Sequence, residues 1–193
     1  MSHVGLIRHG STIWNKEGRA QGLSNIPLDE DGLIQAERLA ERLSKEEWDV
    51  IYSSDLLRAR QTAEVIAERK GITNLNFDER LREMQGGRIE GTTEEERVSL
   101  WGINWGDLDL GIETVESVIL RGVECIEEIS TKHKRHRILI ISHGALIGLS
   151  LKKLIPHVNT QEHLKNTSIT KLNKVKSKWE CEVYNCTMHL ENL

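Results

Sequence analysis

The chain has 193 residues and a formal net charge of -4 with histidine counted neutral; 38% of its residues are hydrophobic and 29% charged. That length suits one domain with its own core, and so mild a charge argues against electrostatic capture by nucleic acid or by an anionic membrane surface. Its three cysteines, with no CxxC pair, argue against a disulfide framework or a thiolate zinc site, so reduced thiols and a cytoplasmic setting are expected.

In chain order, the first element is a short apolar run at residues 4–7, which reads as a strand covered on both faces. The residues around it lack the basic and apolar blocks of a secretory leader. Residues 30–43 have helical spacing, with Leu33, Ala36, Ala40 and Leu43 on one face. A second strand is expected at 50–52. Ser54 is expected to cap a helix running to about Arg69, with Gly71 just past its end. A helix over 115–130 follows from Val115, Val118, Ile119, Val123, Ile126 and Ile129. A third buried strand is expected at 138–141, then a helix over 144–154 that stops before Pro156. The tail reads as two antiparallel strands, 168–175 and 178–184, around a turn at Lys176-Ser177. No apolar run approaches the roughly 20 residues needed to span a bilayer. No repeat or linker divides the chain, so residues 1–193 are expected to form one domain.

Alternating strands and helices define an α/β class with a mostly parallel central sheet and helices on both faces. Ligands in such sheets sit past the carboxyl ends of the strands. The loops after Ile7, Tyr52 and Ile141 should therefore meet, and they carry the unusual residues: Arg8, His9 and Gly10; Arg58; Ser142, His143 and Gly144. Two arginines and two histidines at one place suit a tetrahedral phosphate. A guanidinium donates two hydrogen bonds from a planar fork, and a helix N-terminus adds free N–H groups. Gly10 and Gly144 would let the backbone approach the ligand.

Arg8-His9-Gly10 followed by Asn15 resembles the signature of the histidine phosphatase superfamily, which includes the cofactor-dependent phosphoglycerate mutases. The resemblance runs the length of the chain: Arg19, Gln21 and Gly22, then Pro27-Leu28 and Gly32; Ser53 to Thr62 with Asp55 and Arg58; Leu81-Arg82-Glu83 with Glu90-Gly91; Ser142-His143-Gly144; and Asn185 with His189-Leu190. It implies a three-layer, phosphoglycerate mutase-like fold. It also implies that His9 attacks phosphorus to form a phosphohistidine. Arg8, Arg58 and His143 would bind the phosphoryl oxygens, and Glu83 would serve as general acid and base. Asn15, Gln21, Gly22 and Gly144 would line the same pocket. No metal and no cofactor are called for, and the partner is a small phosphorylated metabolite.

Some positions depart from the family pattern. Asn25 stands where relatives often carry Asp, Cys186 where Asp often follows the asparagine, and Ile89 where an aromatic often precedes the glutamate. Plainer readings compete for several residues. Arg58 has Arg60 as a neighbour of the same type, and Glu83 lies near Glu79 and Glu90. For Asn15 the plainer role is shaping its loop. The basic run at residues 132–137 reads as a solvated helix end. Trp101 and Trp105 fit a packing cluster and a pocket wall equally well. Only 59 residues separate Glu83 from His143. The mutases usually carry a longer insertion there, which makes hydrolysis the first expectation and phosphoglycerate mutation its rival. A non-catalytic phosphate-binding module is the other alternative.

Overall fold

The structure, a computed structural model, describes residues 2–176 and 178–191. Its centre is a six-stranded sheet in the order β3-β2-β4-β1-β5-β6. The strands are β1 (Ser2–Arg8), β2 (Val50–Ser53), β3 (Leu75–Phe77), β4 (Arg137–Ser142), β5 (Ile169–Val175) and β6 (Lys178–Cys186). β1 to β4 run parallel, and β5 alone opposes the rest, pairing antiparallel with both β1 and β6. The helices are α1 (Ile13–Lys16), α2 (Glu30–Ser44), α3 (Leu57–Lys70), α4 (Glu94–Trp101), α5 (Val115–Lys132) and α6 (Gly144–Leu154). Among the described residues no helix is long and apolar enough to cross a membrane.

Because β1, β2 and β4 are covered on both faces, alternate residues feed two separate cores. Val4, Leu6, Tyr52, Ile138 and Ile140 pack with α5 and α6. Ile7, Ile51, Leu139 and Ile141 pack with α2 and α3. The result is three layers, with α2 and α3 on one face of the sheet and α5 and α6 on the other. Most of these strand side chains are fully buried, and each such aliphatic burial contributes about 1.5–3 kcal/mol.

Several sequence expectations need correction. α3 begins at Leu57, two residues later than a cap at Ser54 would place it. Leu56 is its N-cap and gives no side-chain bond; the Leu57 N–H is met instead by Oδ1 of Asn25, at 2.7 Å. Leu33 is 41% exposed, and Leu39 takes its place in the core. Val115 is also exposed at the start of α5. The strand β3 and the helix α4 were not expected. The expected tail turn falls on Ser177, which lies outside the described residues. The 132–137 run is where α5 ends and β4 begins, at the opposite end of the sheet from His9, and it is almost wholly exposed.

Candidate active site

The parallel register sets the site. Arg8 lies opposite Ser142 and Ser53 opposite Ile141, so three strands end side by side. The ladder continues one residue further: the His9 N–H donates to Ser142 O at 3.0 Å and the Ser54 N–H to Ile141 O at 2.9 Å. His9 and His143 are thereby brought together, 2% and 0% exposed, with ring centroids 5.2 Å apart.

Nδ1 of His9 lies 2.7 Å from Gly10 O. A carbonyl only accepts, so Nδ1 carries the hydrogen and Nε2 keeps its lone pair. Burial holds the His9 pKa well below its usual value, with Arg58 and Arg8 adding to the depression. The ring is neutral at physiological pH. His143 is held low by burial and then by Arg58, His9 and Arg8. Its Nε2 lies 2.8 Å from the Ser54 hydroxyl. Ser54 is thus not the helix cap the sequence suggested; it reaches across to the second histidine.

Arg58 sits in the first turn of α3, fully buried. Its two terminal nitrogens donate to Ser24 O and Gly22 O, both at 2.8 Å. Burial lowers its pKa to about 10, so it remains a cation. Arg8 donates from Nη1 to Leu164 O at 2.6 Å, and burial lowers its pKa against the opposing pull of Glu83. Arg60 is on the surface, paired with Glu64.

Glu83 is docked against the start of α6. It accepts from the N–H groups of Met84 at 2.9 Å, Leu146 at 3.1 Å and Ala145 at 3.2 Å. Its backbone is held by Arg121 of α5. That guanidinium donates to the carbonyls of Arg80, Arg82 and Glu83 and pairs with Glu113. Arg121 was missed in the sequence, although a lone arginine interrupts the apolar spacing of α5. The rival carboxylates are placed elsewhere. Glu79 is 77% exposed on its side chain. Glu90 spends its oxygens on Leu23 N, Gly86 N and the Ser24 hydroxyl, which ties the 21–24 loop to the segment after Glu83.

The remaining selected residues divide. Gly22 is left-handed at φ +48°, and a Cβ there would lie 2.1 Å from Oε1 of Glu90. Gln21 is buried, with Oε1 unpartnered. Oδ1 of Asn15 is spent on the Thr12 cap of α1 and on Asn166, so only its NH₂ end is left to offer a ligand. A Cβ on Gly144 would come 3.4 Å from Nε of Arg8. The close approach at Gly10 is to Gly32 O of α2, at 2.6 Å from a built Cβ, so this glycine packs backbone against backbone rather than against a ligand. Asn185 spans the 163–165 loop, accepting from Lys165 N and donating to His163 O. Cys186, in place of the family's Asp, takes a hydrogen bond from Arg42. Trp101 and Trp105 lie outside both cores, each with an arginine over its ring: Arg88 at 5.6 Å and Arg97 at 4.9 Å.

Among the described residues, six buried side-chain polar atoms lack a hydrogen-bond partner, and four belong to this cluster: Arg8 Nε, Gln21 Oε1, Arg58 Nε and His143 Nδ1. Buried polar atoms are normally paired, so their concentration around a neutral histidine marks a place built for a polar ligand. Among the described residues no group of His, Cys, Asp or Glu has the arrangement of a metal site.

At the sheet's carboxyl edge a neutral histidine at a strand end thus stands beside two arginines and a second histidine, an arrangement whose donors suit a tetrahedral anion. The family model of the histidine phosphatase superfamily (branch 1) matches residues 4–187, and the chain belongs to that superfamily. It is 33% identical over 201 residues to phosphoglycerate mutase-like protein 4 of Arabidopsis thaliana, covering 98% of this chain and 87% of the relative. It is 32% identical over 203 residues to the metal-independent phosphoserine phosphatase of the same plant, covering 100% and 85%. Among solved structures it is similar to a histidine-to-alanine variant of Entamoeba histolytica phosphoserine phosphatase in complex with phosphoserine. That likeness has a TM-score of 0.82 at 28% identity and covers 98% of this chain and 100% of the other.

Proposed function

We propose that this chain is a cytoplasmic, metal-independent phosphomonoesterase, working as one domain, that hydrolyses small phosphorylated metabolites through a phosphohistidine on His9. The observation that carries the reading is the neutral His9, with its hydrogen fixed on Nδ1 by Gly10 O, facing two buried guanidiniums and His143 whose inner nitrogens are uncommitted.

Nε2 of His9 attacks phosphorus in line, and the bond to the leaving oxygen breaks as Glu83 gives that oxygen a proton. Water then attacks the phosphohistidine and passes a proton back to Glu83, and the P–Nε2 bond breaks, so inorganic phosphate leaves and the cycle closes. Arg8 and Arg58 offset the charge spread over the phosphoryl oxygens. Their anchors on Leu164 O, Ser24 O and Gly22 O fix them before substrate arrives. Ser54 acts as a positioning residue. Its oxygen accepts from Leu56 N, and among the described residues its buried hydrogen has no acceptor other than Nε2 of His143; donating there puts the His143 hydrogen on Nδ1, ready for a phosphoryl oxygen. Asn15 completes the pocket by presenting its NH₂ end, and buried Gln21 adds an amide whose oxygen is free to accept from a substrate hydroxyl or amine.

The names of the relatives favour phosphoserine-like substrates but also keep phosphoglycerate mutation as a second reading. Phosphate release from an aryl phosphate, in excess chelator, tests the proposal when wild type and His9→Ala are run side by side. Release by wild type alone supports it; equal release by both contradicts it. With 3-phosphoglycerate and its bisphosphate, isomerisation much faster than phosphate release would favour the mutase.

A further inference from the structure

A cleft of about 510 Å³ begins at Arg8, Glu83 and Gly144 and runs outward along α6 to the 160–164 loop. Resting on the proposed phosphatase reading, we infer that this cleft holds the leaving group, and that Lys152 selects phosphomonoesters whose leaving group carries a carboxylate set back from the reacting phosphorus.

The direction of the chemistry points there. In-line attack by His9 drives the leaving oxygen away from the nucleophile and towards the acid, and Glu83 stands at the inner end of the cleft. The far wall is built rather than loose. Arg8 holds Leu164 O, Asn185 holds both His163 O and Lys165 N, and the Tyr184 hydroxyl donates to Glu162 O.

The floor is a stripe of α6. Gly144, Gly148 and Lys152 recur at helical i, i+4 and i+8 spacing. Gly148 is in mid-helix with ordinary backbone, and a Cβ there would meet nothing within 4 Å. Alanine would fit and would favour the helix by about 1 kcal/mol. A side chain at 148 would obstruct only the cleft. Beyond it, Lys152 is exposed and has no ion-pair partner among the described residues. Its Cα lies roughly 12 Å along the helix from Gly144, and its side chain leans back towards the N-terminus. A partner group roughly 6–10 Å from the helix start is therefore within its reach. Leu149, Met84 and Val115 give the stretch between an apolar lining. Glu162 also lines the cleft, with Lys165 4.0 Å away. Away from Arg8 at the inner end, a single lysine beside a carboxylate suits a monoanion better than a second phosphate.

The test uses two matched series of increasing chain length, ω-carboxyalkyl phosphates and neutral alkyl phosphates, on the full chain. The ratio of kcat/KM between the series should fall about three- to tenfold in Lys152→Ala, the range for a charge-assisted contact open to solvent. The ratio should not move in Lys153→Ala, its exposed neighbour outside the cleft. Gly148→Leu should depress kcat/KM for long chains at least about tenfold more than for short ones. Binding of the same compounds to His9→Ala, followed by calorimetry, should show the same Lys152-dependent preference without turnover. An unchanged ratio in Lys152→Ala, or equal loss for long and short chains in Gly148→Leu, overturns the cleft assignment. Absence of turnover in wild type with the carboxylate preference intact in His9→Ala overturns the phosphatase reading and leaves the cleft supported.

Discussion

Acidification from about pH 7.5 to about pH 5.5 should destabilise the fold by about 3 kcal/mol through His9 and His143 alone. Both rings are buried beside Arg58 and Arg8, and burial first, then those charges, hold their pKa values well below normal. In the unfolded chain each returns to about 6.5. Below that pH the unfolded state binds protons that the native state refuses. The histidines' contribution is therefore whole above about pH 6.5 and is lost progressively as the pH falls. A ring that stays neutral in the fold forfeits about 1.4 kcal/mol by pH 5.5, so two forfeit about 3 kcal/mol. That is a large part of a typical stability of about 5–15 kcal/mol. Urea unfolding of wild type and of the double variant His9→Asn/His143→Asn, at both pH values, isolates the effect. The variant keeps the other six histidines and every carboxylate as common background. The acid loss should be larger in wild type by about 3 kcal/mol. Equal losses would refute the reasoning, because they would mean that both rings protonate in the native state.

Other perturbations have definite outcomes. Glu83→Gln should lower kcat/KM, which reports transfer to His9 alone, by about 10²–10⁴-fold on alkyl phosphates, and much less on aryl phosphates, whose leaving groups need no proton; a loss of only a few-fold on both would move the acid role to another carboxylate. Gly22→Ala should destabilise the chain by about 1–3 kcal/mol, since its Cβ meets Glu90 and its carbonyl anchors Arg58; an unchanged urea midpoint would contradict that packing. In Ser54→Ala, the nitrogen NMR shifts of His143 should show loss of the single Nδ1–H form, with kcat lowered more than KM; Ser54→Thr should restore both. An unaltered His143 spectrum in Ser54→Ala would remove Ser54 from the site.

Much of the site could be read from the sequence because it hangs on the strands that are easiest to recognise. Residues 4–7, 50–52 and 138–141 are uninterrupted and mostly β-branched, and each ends directly before a chemistry-bearing loop. Parallel pairing then puts those ends at one level. β3 escaped because Leu75–Phe77 is three residues long and lies at the sheet edge, too short for its Leu-Asn-Phe alternation to stand out. α4 carried a readable signal, the Thr93–Glu96 capping box, but little apolar periodicity to support it. Ser54 illustrates the limit differently. Local spacing makes a serine before a helix a cap, yet its hydroxyl meets His143, 89 residues away. Arg121 likewise acts through carbonyls about 40 residues back in the chain. Contacts of that range are set by packing of the finished layers and leave no local pattern.

The most direct test of the account is to trap the intermediate. Wild type would be mixed with a labelled phosphomonoester and quenched in alkaline detergent during turnover, and the labelled peptide would then be identified. The account predicts label on His9, stable to base and lost in mild acid, and none in His9→Ala. Steady turnover with no trapped label, or label on any other residue, would contradict it.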